Sequence, residues 1–243
     1  MSGHSKWANI KRRKEAQDQK RGKIFSKLAR LIAVAVREGG SPDPAANAKL
    51  RLVIERAKAE NMPKENIQRA IENAVKKKEA VEELLLEGYA PGGVAVLVEA
   101  VTDNRQRTIQ EVKNIFQKNG GSLSEPGAVA FQFEKKGMIE VEPLKDEEKL
   151  LSLIDLGVED FETEDQVMIL WLEPARLEEI KNKIAQLGIE IKRADLVMKP
   201  KSLLRVTDPN KARATLSLLE ALDHHDDVQR VFANFDIPDQ YLK

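Results

Sequence analysis

The sequence predicts an α+β protein of three domains, a basic helical N-terminal domain followed by two α/β domains. Three observations carry that reading. Apolar residues recur at three- and four-residue spacing through the first 78 positions, strands and helices alternate thereafter, and the charge divides at the same place. The 243 residues carry 40 basic and 40 acidic side chains, yet residues 1–78 hold 20 Lys or Arg against eight Asp or Glu, a net of about +12. Residues 79–243 hold the balancing acid, about −12. A basic face of that size points to a polyanion, or else to solvent and an acidic protein surface.

From Gly22 onward, Ile24, Phe25, Leu28, Leu31, Ile32, Ala35 and Val36 fall within one arc about 140° wide on a helical wheel. Lys23, Lys27, Arg30 and Arg37 fall opposite, within about 80°. One face is thus expected to enter a core while a four-charge ridge stays outside. Gly39 and Gly40 stop this helix. SPDPAAN leads into a second helix, where Leu50, Val53, Ile54 and Ala57 make the buried stripe. Pro63 suits the first turn of a third helix, with Asn61 as its expected cap and Ile67, Ala70, Ile71 and Ala74 continuing the apolar pattern. Ahead of these helices, HSKWANIKRRKEAQDQKR has few apolar anchors and much charge. It reads as a basic arm that follows a phosphate backbone, with Trp7 either stacking on an exposed base or packing back on the helices with Ile10.

GYAPGGVAVLVEAVT, residues 88–102, combines a glycine-rich turn with an apolar strand. TDNRQRT opens a helix capped by Thr102 or Asp103, with Val112, Ile115 and Phe116 facing inward and Gly120 and Gly121 as its stop. GAVAFQFEKKG follows as a strand in which Val129, Phe131 and Phe133 alternate with Ala130 and Gln132. The next unit reads as strand 138–142, helix 144–156, strands 158–163 and 167–172, helix 174–187 and strand 189–197. That β-α-β-β-α-β order is the ferredoxin-like pattern. Leu144, Leu150, Leu151 and Ile154 are expected on the inner face of its first helix, and Leu177, Ile180, Ile184 and Leu187 on that of its second. A last helix, 209–223, and the strand QRVFANFDI have no partner strands of their own. Either they return to the 88–134 unit, leaving the ferredoxin-like unit inserted, or the units follow end to end.

Candidate chemistry is sparse. With no cysteine, disulfides, thiolate chemistry and Cys-ligated metals are excluded. No Ser/His/Asp set and no defined carboxylate pair nominates a catalytic centre, so no enzymatic activity, cofactor or metal is expected. No run of 18 apolar residues and no secretory signal appears, so a soluble cytoplasmic protein is expected. GYAPGG precedes a strand and lacks a P-loop ending, and so reads as a turn or recognition loop more than a nucleotide site. ALDHHDDVQ gathers His224, His225, Asp226 and Asp227 without metal-ligand spacing; cation binding there needs a distant carboxylate brought close by folding. Arg105 and Arg107 sit in the first turn of their helix, against its dipole. That placement points either to phosphate contact or to pairing with Asp103 or Glu111.

The stretches GHSKWANIKRRKEAQDQKRGKIFSKL, NMPKENIQRAI, EGYAPGGVAVLVEAVTDNRQRT, FQKNGGSL and HDDVQRVFANFDI together resemble the YebC/PmpR family, whose mitochondrial relatives are translational activators of cytochrome oxidase. The resemblance implies a basic helical nucleic-acid-binding domain at 1–78, a middle α/β domain at 79–134 plus 201–243, and a ferredoxin-like domain at 135–200 inserted into it. It implies a cytoplasmic nucleic-acid-binding regulator, most often described as a DNA-binding transcriptional regulator. The alternative is a ribosome-associated translation factor contacting ribosomal RNA and easing synthesis through proline runs. A protein-binding scaffold working through the acidic domains is the third class. No enzymatic activity, cofactor or obligatory metal is implied, and a monomer is the expectation. By position, Lys6, Trp7, Lys11, Arg12 and Arg13 belong to the family's N-terminal recognition pattern; the basic side chains Lys20, Arg21, Lys23, Lys27, Arg30 and Arg37 extend the candidate contact. Tyr89, Gly92 and Gly93 match the middle-domain loop, and Asp103, Asn104, Arg105, Arg107 and Thr108 the signature after it. The linker NAVKKKEAVEELLLEGY is shorter and more charged than the family's usual glycine- and threonine-containing one.

Overall fold

A computed structural model describes residues 19–76, 82–144, 146–164, 167–238 and 241. Three helices come first, α1 (Gln19–Glu38), α2 (Ala48–Ala59) and α3 (Lys64–Lys76). They are followed by β1 (Glu82–Ala90), β2 (Val94–Thr102), α4 (Arg105–Lys118) and β3 (Ser122–Ser124). After a 3₁₀ turn at Ala130–Gln132 come β4 (Phe133–Val141), α5 (Glu147–Asp155), β5 (Val158–Glu164) and β6 (Val167–Leu172). The rest is α6 (Leu177–Gln186), β7 (Ile191–Pro200), β8 (Leu204–Arg205), α7 (Pro209–Asp223), β9 (Val228–Ala233) and β10 (Phe235–Asp236). The architecture is mixed α+β, with N-terminal helices and two sheet-rich regions. No helix among the described residues is long and apolar enough to cross a membrane. The chain divides into two compact units, residues 133–199 and the residues on either side of that segment.

In the larger unit the three helices enclose Leu28, Ile32, Ala35, Leu50, Ala57, Ile67 and Ile71, the periodic apolar set expected for them. Asn47 joins the first two helices. Its side-chain carbonyl accepts from Leu50 N–H at the start of α2, and its amide donates to the Ala35 and Ser41 carbonyls, each at 2.8 Å. Asn61 is not the cap of α3. It takes a φ of 58° just past α2, where its short polar side chain tolerates the left-handed conformation.

The sheet of this unit has the order β3-β1-β2-β9. β1 and β2 form an antiparallel hairpin that runs from Glu82↔Thr102 to Ala90↔Val94. β1 is a correction to the sequence reading, which left Glu82–Glu87 in a charged linker: its acidic residues disguised a strand whose buried positions are Leu84, Leu86, Glu87, Gly88 and Ala90. Gly88 is required there, because a Cβ would lie 2.6 Å from both the Phe116 ring and the Ser122 carbonyl. The C-terminal helix and strand return to this sheet, with β9 pairing antiparallel to β2 from Val96↔Ala233 through Ala100↔Val228. α4 and α7 cover one face, burying Val112, Phe116, Leu216, Leu219 and Leu222 against Val94, Val96 and Val98. Ala95, Leu97 and Val101 on the opposite face are also buried, so β2 reads as a continuous apolar run.

Residues 127–132 do not form the strand expected of them. Val129 is fully buried, but Phe131 is 65% exposed on the 3₁₀ turn, and the strand begins only at Phe133. The unit 133–199 holds a four-stranded sheet of order β5-β6-β4-β7, with β6 antiparallel to both of its neighbours. Leu153, Leu177, Ile180 and Ile184 pack on it from α5 and α6. Leu151, Ile154 and Leu187, expected inside, are exposed instead. Asp146 caps α5 so that the helix starts at Glu147, and the inward phase falls on Leu150 and Leu153.

Candidate nucleic-acid interface

The candidate contacts fall in four places. Lys6, Trp7, Lys11, Arg12 and Arg13 lie outside the described residues; Lys20, Arg21 and Lys23 are on α1, with only their backbone described. Lys27 and Arg30 do not stand in a solvent ridge. Lys27 Nζ donates to the Asp223 carbonyl at 2.5 Å, and Arg30 donates to the Asp226 carbonyl at 2.5 Å and to the Asp227 carboxylate at 2.8 Å. Val34, on the same side of the helix, is fully buried without belonging to the three-helix core. That side of α1 therefore faces the protein, because the α7–β9 loop supplies oxygen acceptors for it. Arg37, near the C-terminal end of α1, is exposed.

Asp227 is the centre of this arrangement. Its side chain is 4% exposed and receives Arg30 on one oxygen. The other oxygen accepts from Arg107 at 2.9 Å and Thr108 at 2.7 Å, with Thr102 at 3.2 Å. Burial alone raises the carboxyl pKa, but the Arg107 and Thr108 hydrogen bonds and the Arg30 charge outweigh it and hold the group below its ordinary range. Arg107 also meets Asp103 at 2.9 Å, and Arg105 lies 3.6 Å from Glu82. Arg107 thus has the Asp103 partner expected of the pairing alternative, whereas the partner of Arg105 is Glu82, outside that expectation. The cap of α4 is Asn104, which accepts from Arg107 N–H, in place of the expected Thr102 or Asp103.

Folding does bring a distant carboxylate to the histidine cluster. Glu111 Oε2 lies 2.9 Å from His225 Nε2, and among the described residues Glu111, His225 and Asp227 place ligand-type atoms within 4.8 Å of one another. The donor chemistry does not suit a cation. Asp227 N–H donates to His225 Nδ1, which directs the ring proton to Nε2 and toward Glu111, while the Asp227 oxygens are already engaged by arginine and threonine. These groups and Asn114, Lys118 and His224 line a polar cleft of about 650 Å³.

The glycine-rich segment is the tip of the β1–β2 hairpin. Gly92 and Gly93 have φ of 88° and 83°, which explains the glycine pair. Tyr89 and Glu87 point instead to the segment before β4. The Glu87 carboxylate accepts from the N–H groups of Gly127, Val129 and Ala130 at 2.6–2.7 Å, and Tyr89 Oη donates to the Ala128 carbonyl at 3.0 Å. Burial pushes the Glu87 carboxyl up, and the three N–H donors more than offset it, leaving its pKa lowered. The roles of Glu87 and Asp227 were not legible locally. Their partners lie 40 to 43 and 119 to 197 positions away, and no spacing rule reaches that far.

Residues 5–77 match the model of the TACO1/YebC protein N-terminal domain, and residues 81–235 that of the TACO1/YebC second and third domain. A probable transcriptional regulatory protein of Thermotoga petrophila is 48% identical across 100% of this chain and 97% of its own length. One from Halothermothrix orenii is 44% identical across 100% of this chain and 98% of its own. The crystal structure of a conserved hypothetical protein from Aquifex aeolicus superposes with a TM-score of 0.84 at 47% identity, over 91% of this chain and 92% of that one.

Proposed function

The chain belongs to the TACO1/YebC family, and we propose that it is a nucleic-acid-binding regulatory protein whose basic helical domain, residues 1–78, grips a phosphate backbone, with DNA as the target of a transcriptional regulator. The observation that carries the reading is the similarity, along the whole chain, to relatives named as probable transcriptional regulatory proteins. The net of about +12 in the first 78 residues supports it, since phosphate neutralisation supplies most sequence-independent affinity. In this reading Lys6, Lys11, Arg12, Arg13, Lys20, Arg21, Lys23 and Arg37 meet phosphates, and Trp7 stacks or packs beside them. Lys27, Arg30, Arg105 and Arg107 add positive potential while holding their internal partners. The role is regulatory, as the relatives' names are, and no catalytic step is assigned.

We read the remainder as a middle domain, 79–134 plus 201–243, with a ferredoxin-like domain at 135–200 inserted into it. The order β5-β6-β4-β7, with a helix after the first and third of its strands in sequence, supports the ferredoxin-like reading. One observation favours ribosomal RNA over DNA. Lys27 and Arg30 are turned inward, which removes two cations that could enter a groove to read bases, and structured RNA is recognised largely by shape and backbone.

The deciding experiment is co-sedimentation of the full chain with purified ribosomes across a salt series, with excess duplex DNA as competitor. Binding lost to the competitor supports the DNA regulator. Saturable binding that survives it supports the ribosomal target, and absence of binding to either polymer at physiological salt overturns the proposal.

A further inference from the structure

The hairpin tip faces a surface unlike the surroundings of Asp227. Arg30, Arg105 and Arg107 each have a carboxylate partner. The Lys211 stem runs beside the tip and the Lys201 backbone is bonded to the loop that carries Phe131; the exposed ammonium groups of both have no ion-pair partner among the described residues. With them are two apolar side chains left in solvent, Phe131 at 65% and Leu204 at 36% exposed.

Hydrogen bonds make neighbours of these residues. Lys201 N–H donates to the carbonyl of Gln132, the residue after Phe131, at 2.9 Å. The Gln132 side-chain carbonyl accepts from the Asn234 amide at 3.1 Å, and the Asn234 backbone carbonyl accepts from Leu204 N–H at 2.6 Å. At the tip, a Cβ placed on Gly93 would stand 3.8 Å from Leu204 Cδ2, and one on Gly92 would stand 3.6 Å from Lys211 Cδ. Phe131 is not a loose side chain on a loose loop. Three N–H groups of its loop are held by Glu87 and a carbonyl by Tyr89, so the ring is presented by a fixed backbone.

A displayed ring and cations without an ion-pair partner among the described residues, set on a backbone fixed by hydrogen bonds, are together suited to an unpaired strand. Bases stack on the ring, and the ammonium groups meet the phosphates between them. A duplex keeps its bases stacked on one another and gains little from the ring. We propose that Phe131, Lys201, Leu204 and Lys211, with Leu204 and Lys211 against Gly93 and Gly92 and Phe131 and Lys201 linked to Leu204 through Gln132 and Asn234, form a second contact that takes single-stranded nucleic acid. This inference rests on the reading that the chain binds nucleic acid, and it assigns the unpaired part of the target to a surface separate from the basic helices.

The test is fluorescence anisotropy of the full chain with three probes: fluorescein-labelled oligo(A) RNA, oligo(dA) DNA, and a DNA duplex of the same length. Phe131→Ala is expected to weaken single-strand binding by about 5- to 150-fold, the range of one lost base–aromatic stack, and to leave duplex binding nearly unchanged. Phe131→Tyr retains the affinity. Lys201→Gln with Lys211→Gln lowers the logarithmic salt slope by about 1.4 for a single strand. Arg205→Gln removes one positive charge from the side of β8 opposite Leu204 and leaves binding unchanged. Tighter binding of the RNA probe assigns the site to RNA through its 2′-hydroxyls, and equal binding assigns it to single strands of either sugar. Single-strand affinity indifferent to Phe131→Ala, with duplex binding intact, overturns this site and leaves the proposed function standing. Failure of both single-stranded probes overturns this site, and failure of the duplex as well overturns DNA as the target.

Discussion

The Arg30 guanidinium lies 2.8 Å from the buried Asp227 carboxylate, across 197 positions of sequence. A cation whose helical phase predicted a solvent ridge therefore ties the first described helix to the loop before β9. Asp227 holds Arg107 as well, so one carboxylate serves the helical module and the sheet domain together.

Asp227→Asn removes the charge that both arginines face but preserves shape. Breaking a buried pair costs about 3–5 kcal/mol, and the partial exposure of Arg30 and Arg107 reduces the expectation here to about 2 kcal/mol. Arg30→Gln costs less, about 1 kcal/mol or below, because its side chain is 38% exposed. Urea unfolding of the two variants and their double mutant measures the coupling; additive effects would show that the pair contributes nothing of its own.

Acid should unfold this unit through the same groups. Asp227 and Glu87 both have lowered pKa values in the folded protein. Their contribution is fully present above the unfolded carboxylate range, about pH 4 to 4.5, and is lost as pH falls from there through the folded values. Glu87→Gln lowers stability at neutral pH and flattens that acid limb. A denaturation series from neutral pH to pH 3 with an unchanged acid limb in the variant would remove Glu87 from the account.

Gly88→Ala tests the packing of β1 against α4. The added Cβ meets the Phe116 ring and the Ser122 carbonyl, one fully buried and the other backbone, so neither yields easily. Overpacking of this kind costs about 1–3 kcal/mol, and each kcal/mol lowers Tm by about 2–4 °C for a chain of this size. An unshifted melting curve by circular dichroism would mean that α4 moves freely away from the sheet.

Nucleic-acid affinity and stability should separate along α1. Arg37→Gln is expected to lower the logarithmic salt slope for duplex DNA by about 0.9 without changing Tm, since the residue is exposed. Arg30→Gln should do the reverse, lowering Tm with little change in slope. The opposite pattern would return Arg30 to the phosphate contacts.

Periodicity made most of the fold legible. The stripe through Leu28, Ile32 and Ala35, the strand around Val96 and the order of elements from Val158 to Ile191 follow from residue spacing, because burial on one face leaves a period in the chain. Where that period was missing, reading failed. β1 carries glutamates on a strand whose Glu87 is buried by design of its three N–H partners, and Phe131 alternates like a core residue while its backbone turns away. The site was less legible for a related reason. Charge identifies which residues want partners, and only the fold decides whether they find one, as Arg30 and Arg107 do, or have none among the described residues, as with Lys201 and Lys211.

The β2–β9 pairing has a consequence for the order of synthesis. Glu99 meets Arg230 in register and in an ion pair of 2.6 Å, yet all of residues 133–199 are made between them. A chain emerging from N- to C-terminus can close the β1–β2 hairpin early, but Arg30 and Arg107 wait without Asp227, and β2 waits with one edge open, until nearly the last strand is made. Contacts this distant in sequence close slowly. During that interval the basic face of α1 is uncovered, so the nascent chain presents more free positive charge beside the ribosome that is making it than the finished protein does.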